Sequence, residues 1–116
     1  MVNYREERLD RIFGVLADPT RRAILARLAD ERGLSVTELA EPFAIKLPAV
    51  MKHLDILDDA GLIRRSKTGR TVTVAITAGS LKPAVDWLHR RERFWAANLD
   101  RLVDYAEAKE REARRR

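Results

Sequence analysis

The sequence predicts a mainly α fold with a small β-hairpin, in the order of four helices, a β wing and a long closing helix. Apolar residues recur at helical spacing through the first half of the chain, and two alternating, β-branched segments flank Thr68-Gly69-Arg70. After Ser80, apolar positions return in steps of about four and three residues. These are the periods of amphipathic helix, hairpin and helix-on-helix seam respectively.

Leu9, Ile12, Phe13 and Leu16 define a first helix ending near Ala17. Asp18 followed by Pro19 restarts the chain, because the carboxylate accepts orphan N–H bonds and proline loses nothing in a first turn. The second helix is expected to run to about Arg32, with Ile24, Leu25 and Leu28 inward and Gly33 ending it. Ser35-Val-Thr-Glu38 matches a capping box, so Ser35 opens a third, short helix through Leu39 and Ala40 toward Pro42. Phe43 to Lys46 is the turn. Leu47, Val50, Leu54 and Leu57 give the fourth helix its inner face, Pro48, Ala49, Lys52, Asp55 and Ile56 its outer face, and Gly61 its end. The hairpin pairs segments around Leu62 to Lys67 and Thr71 to Ile76. Ser80 is read as the cap of the last helix, which tolerates Pro83 in its first turn and continues to about Lys109, the charged run from there to Arg116 fraying.

Length and composition narrow the functions available. With 116 residues the chain is one domain, 1–116, too small for a core plus a separate ligand domain. The net charge is +5 and the pI about 10.1, yet acids are plentiful, so the surplus is local. There is no cysteine, which removes disulfides, thiolate metal sites and thiol redox sensing. No apolar run approaches the roughly 20 residues that span a bilayer, and Met1-Val-Asn-Tyr-Arg-Glu-Glu lacks a secretory apolar core, so a cytoplasmic protein is expected.

Part of the surplus charge gathers on one helix and the hairpin after it. The fourth helix offers Lys52 and His53, and the hairpin that follows carries Arg64, Arg65, Lys67 and Arg70 without an acid among them. A short helix joined to a basic hairpin has the shape and charge to enter a groove of double-stranded DNA and grip flanking phosphates. The candidate contacts are Lys46, Leu47, Pro48, Ala49, Met51, Lys52 and His53 on the helix, and Arg64, Arg65, Lys67, Arg70 and Thr71 on the wing. His53 lies between inner and outer faces, so packing competes with a DNA role. No nucleophile and base pair, glycine-rich phosphate loop or inward carboxylate pair emerges, and no enzyme is expected.

Four segments, Phe13-Gly-Val-Leu-Ala-Asp-Pro-Thr-Arg-Arg-Ala-Ile-Leu25, Ser35-Val-Thr-Glu-Leu-Ala40, Leu47-Pro-Ala-Val50 with Lys52-His-Leu54, and Ala60-Gly-Leu-Ile63, together resemble the ArsR family of winged helix-turn-helix regulators, over roughly Leu9 to Tyr105. Trp87-Leu-His-Arg-Arg-Glu-Arg-Phe-Trp95 looks like that family's cysteine-free branch. The resemblance implies a helix-turn-helix over 35–61, a wing over 62–77, a dimerisation helix over 80–109, and a homodimer that represses from an inverted-repeat operator. Three residues depart from the family pattern. Ala44 stands where a turn glycine is common and costs about 1 kcal/mol if its backbone is left-handed. Lys46 replaces a capping serine, a loss of roughly 1 kcal/mol that a neighbouring phosphate offsets. Met51 removes one polar contact.

Two other readings compete with a repressor. One is a winged-helix module that binds another protein through its last helix; the basic wing and the Lys52-His53 pair speak against it. The other is zinc control through Asp86, His89 and Glu92 on neighbouring turns, but two histidines in the chain leave a nitrogen site dependent on symmetry and carboxylates. No metal and no cofactor is expected. For the dimer, Leu81, Val85, Leu88, Trp95, Leu99, Leu102 and Ala106 form a seam interrupted at Glu92, widened by Trp87, Phe94 and Val103, with Leu9, Phe13 and Leu16 as its lid.

Overall fold

The computed structural model describes residues 3–115; Met1, Val2 and Arg116 lie outside it. Among the described residues five helices and three strands follow in the order α1 (Tyr4–Leu16), α2 (Pro19–Asp30), β1 (Leu34–Ser35), α3 (Val36–Ala40), α4 (Leu47–Asp59), β2 (Ile63–Thr68), β3 (Thr71–Ile76) and α5 (Lys82–Arg114). The chain divides into two compact units, Met1–Ala84 and Val85–Arg116.

In the first unit, α1 starts earlier than its apolar stripe suggests. Asn3 accepts from the backbone N–H groups of Arg5 and Glu6, and Glu6 and Glu7 complement the dipole of the first turn. Its carbonyl end is closed from the next helix: Arg21 Nε donates to the Val15 carbonyl at 2.8 Å, and Arg22 Nη1 to that of Leu16 at 2.7 Å. Two cations thus satisfy orphan acceptors where the helix dipole is negative. Asp18 caps α2 as expected, accepting from Thr20 and Arg21, with Pro19 in the first turn.

The second helix ends at Asp30, short of Arg32, and Gly33 does not end it: Glu31 leaves in extended backbone, and Gly33 has no positive φ. The glycine instead eases a close approach, because a Cβ there would sit 3.2 Å from Thr73 Cγ2, so that the methyl group would have to give by a few tenths of an ångström. That approach belongs to a strand absent from the two-stranded expectation. Leu34 and Ser35 pair antiparallel with Val74 and Thr73, extending the hairpin to a three-stranded sheet of order β1-β3-β2. Two residues are too few for alternation to announce a strand.

The Ser35–Glu38 capping box forms in both directions, at 3.1 Å each. Ala44 needs no left-handed backbone, since among the described residues only glycines have positive φ. The end of α4 is a Schellman motif, with Gly61 at φ 76°, its N–H donating to the Asp58 carbonyl and that of Leu62 to Leu57. In the wing, β2 and β3 pair from Ile63↔Ile76 to Thr68↔Thr71 around a two-residue turn, Gly69-Arg70, whose glycine has positive φ. Ser80 does not serve as the expected helix cap: it is buried and donates, at 3.5 Å, to the Leu62 carbonyl, which also accepts from Thr77 N–H and so closes the base of the wing.

The core joins Ile12 and Val15 of α1, Ile24, Leu25 and Leu28 of α2, Leu39 of α3 and Val50, Leu54 and Leu57 of α4 to Leu34, Leu62, Ile63, Val74 and Ala84. Leu9, Phe13, Leu16 and Leu81 pack against it while remaining partly exposed. In the second unit the helix continues past Lys109 to Arg114, against the expected fraying, helped by the i,i+4 pair Glu110–Arg114 at 2.7 Å and basic residues in the last turn.

Asp18 shows how a cap sets acid stability. The Arg21 backbone N–H foremost, with Thr20 and nearby cations, holds its carboxyl below the usual aspartate range. Its contribution is complete above the unfolded-state pKa and lost as pH falls through the lowered native one. Asp18→Ala should therefore lower the Tm by a few degrees at neutral pH, and thermal scans at descending pH should show that gap closing.

Candidate nucleic-acid interface

The site is built on α4, whose stripe Val50, Leu54 and Leu57 is wholly buried. Fixing that stripe inward turns the opposite side out: Pro48, Lys52, Asp55 and Ile56 are exposed and Ala49 half-buried. Among Pro48, Ala49, Lys52 and Ile56, Lys52 alone carries a hydrogen-bonding side chain. Leu47, expected on the inner face, is 50% exposed, because the first turn projects beyond the core that covers Val50. Met51 is half-buried and packs against that core.

The amino-terminal end of α4 is electrostatically bare. Lys46 is the N-cap residue with no side-chain capping bond, and its carbonyl accepts from Ala49 and Val50. A cation there opposes the positive end of the helix dipole, and with the first-turn N–H groups it favours an anion. His53 is drawn inward: it is half-buried, its Nδ1 is buried without a partner, and it is close enough to Asp18 to help hold that carboxyl down.

In the wing, Arg64, Lys67, Arg70 and Thr71 are exposed. Arg65 is different. Its Nη1 donates to Asp55 Oδ1 at 2.7 Å and its Nε to Asp58 Oδ2 at 2.8 Å, tying β2 to α4. Asp55 first, with Asp58 beside it, raises the arginine above its usual range against the opposing effect of partial burial. With both carboxylates more than a third exposed, solvent screening leaves the network on the order of 1 kcal/mol. The sequence holds only part of the signal: Arg65 lies two residues from buried Ile63, hence on the same face of the strand, and Asp55 and Asp58 lie one turn apart on α4, but that these faces meet is set by the fold. The wing is free of acids in sequence but not in space.

Asp86, His89 and Glu92 do not assemble: among the described residues no group of three His, Asp or Glu side chains is arranged to hold a metal ion. Among the described residues no helix is long and apolar enough to cross a membrane.

A short helix held by its buried stripe behind a capped helix and turn, with a basic hairpin at its far end, is the reading element of a winged helix-turn-helix transcriptional regulator. The helix-turn-helix domain family matches residues 16–66. The HTH-type transcriptional regulator Rv2034 of Mycobacterium tuberculosis (strain ATCC 25618 / H37Rv) is 38% identical over 102 residues, covering 85% of this chain and 87% of its own. The transcriptional repressor SdpR of Bacillus subtilis (strain 168) is 29% identical over 80 residues, covering 69% and 88% respectively. The crystal structure of the ArsR family transcriptional regulator RHA00566 superposes with a TM-score of 0.72 at 44% identity, covering 83% of this chain and 97% of that one. The chain belongs to the ArsR family of transcriptional regulators. These relatives are regulators, not enzymes.

The uncapped Lys46 gives a direct test of how α4 begins. Lys46→Ser supplies the missing acceptor and removes the misplaced charge, and should stabilise the fold by about 1 kcal/mol. Urea unfolding should show a raised midpoint at unchanged slope.

Proposed function

We propose that the chain is a cytoplasmic repressor that binds an inverted-repeat operator as a homodimer through α5. The observation that carries this reading is the unburied stripe on that helix. Val85, Leu88, Trp95, Leu99 and Leu102 are all exposed, Trp95 at 63%, at alternating spacings that keep them on one side of the helix. Phe94 and Val103 flank them, equally exposed, and Phe94 meets Trp95 edge to face at 6.1 Å between centroids. So much contiguous apolar surface marks an interface, and a twofold axis lets the same stripe serve both partners. The likeness to the transcriptional repressor SdpR supports repression as the sign.

On the operator, two α4 helices about 34 Å apart reach successive major grooves. Lys52 supplies the hydrogen-bonded base contact, with guanine as its natural acceptor, while Pro48, Ala49 and Ile56 suit thymine methyl groups. Lys46, Arg64, Lys67 and Arg70 take phosphates, and Thr71 adds a hydroxyl.

Fluorescence anisotropy on a duplex selected from the source genome, beside a random duplex, tests the reading. With four phosphate-binding cations per protomer, affinity should fall by about four orders of magnitude between roughly 50 and 200 mM salt. Lys52→Ala should cost about 1–3 kcal/mol on the selected site and blur its preference, whereas Arg70→Ala should weaken both duplexes alike and flatten the salt slope by about one per protomer. Equal loss of discrimination in the two variants would refute this division of roles.

Trp95→Glu/Leu99→Glu should yield a monomer by sedimentation and abolish operator binding with no DNA-contacting residue altered. A wild-type monomer at micromolar concentration that binds its operator with full affinity would exclude the dimer.

A further inference from the structure

We propose that Arg65 is a positioning residue: clamped between Asp55 and Asp58, it sets the distance from wing tip to reading helix and does not itself contact DNA. The proposal rests on the DNA-binding reading of α4 and the wing. Both donors that Arg65 turns toward α4 are engaged, Nη1 by Asp55 at 2.7 Å and Nε by Asp58 at 2.8 Å, and its side chain is 24% exposed. Its neighbour Arg64, on the opposite face of the strand, is open to solvent, as are Lys67 and Arg70. The wing therefore has two kinds of cation.

The charge balance argues the same way. Asp55 and Asp58 lie on the helix that would approach the phosphates, and alone they would repel them. Arg65 offsets part of that repulsion where it stands. If it swung out to a phosphate, it would gain one contact and expose two uncompensated carboxylates beside the same backbone. The clamp also has leverage. Gly69 lies four residues beyond Arg65, about 13 Å along the strand, so about 15° of angular freedom at the base displaces the tip by roughly the length of a hydrogen bond. A planar guanidinium spans two carboxylates on successive turns; a lysine ammonium, a point charge, does not reproduce that fork.

Arg65→Lys and Asp55→Ala/Asp58→Ala, singly and combined in the full chain, separate a clamp from a contact. Anisotropy titrations at several salt concentrations should show each variant bound on the order of tenfold more weakly. The salt slope should flatten as the tip cations lose their phosphates, and the combined variant should be no worse than either parent. A direct phosphate contact predicts opposite signs: Arg65→Lys keeps its affinity, and removing the two acids tightens binding by freeing the arginine and deleting negative charge. Either of those results overturns the proposal. Thermal unfolding in parallel identifies a variant that fails to fold, and the acid-deleted variant, which keeps Arg65 and places helix-favouring alanines in α4, then decides the matter by the sign of its effect. Wild-type protein that binds selected and random duplex equally would defeat the regulator reading and this proposal with it. Specific wild-type binding with an unaffected Arg65→Lys defeats the clamp alone.

Discussion

Complete burial of Val50, Leu54 and Leu57 is the constraint on which the remainder of the site hangs. Three residues at helical spacing, each worth about 1.5–3 kcal/mol in removed apolar surface, fix the rotation of α4 about its own axis. Once that angle is set, Lys52 has one direction in which to point, and Asp55 and Asp58 are delivered toward the wing. The helix-turn-helix orients its exposed residues through its core. A polar substitution at Leu54 would therefore misdirect Lys52 without touching it.

Local interactions finish what that stripe begins. The Ser35–Glu38 box starts α3 at a defined residue, the Schellman turn at Gly61 stops α4, and Leu62 leaves that turn directly into the wing. Leu62 belongs at once to the helix terminus, the core and the foot of the hairpin, since its carbonyl also accepts from Thr77 and Ser80. The direction in which the wing departs is thereby tied to the way the helix ends.

Most of this order could be read from the chain, because α2 and α3 announce themselves by apolar spacing and an N-cap, and α4 by its stripe and the glycine that ends it, while α1 and α5 show their stripes alone. Asp18, Ser35 and Gly61 stand where their chemistry requires. What escaped reading was of another kind. The strand Leu34–Ser35 exists only because β3 is there to pair with it, and Gly33 is explained by a methyl group of Thr73 some 40 residues away, not by its own φ. Leu47 was assigned to the core by its spacing, but spacing does not reveal where a core stops. Arg65 counted as a free cation because its acids precede it on a different element. Periodicity reports the face a residue occupies, whereas partners brought together by the fold require the fold.

The pairing of Leu34 with Val74 encloses α3, α4 and β2 in a loop whose two ends are hydrogen-bonded neighbours. Everything proposed to meet DNA, Lys46 and Thr71 included, lies between those ends, with the hairpin tip at Gly69-Arg70 at the end of the β2–β3 ladder. Because the neck is pinned by the close approach at Gly33 and by the pairing that follows it, the tip can gain or lose residues two at a time while every inward side chain keeps its face. The entropic cost of lengthening such a loop grows only logarithmically. Wing length is thus a nearly independent variable in this architecture, one that descendants of the same fold can alter to reach different stretches of backbone while leaving the reading helix in place.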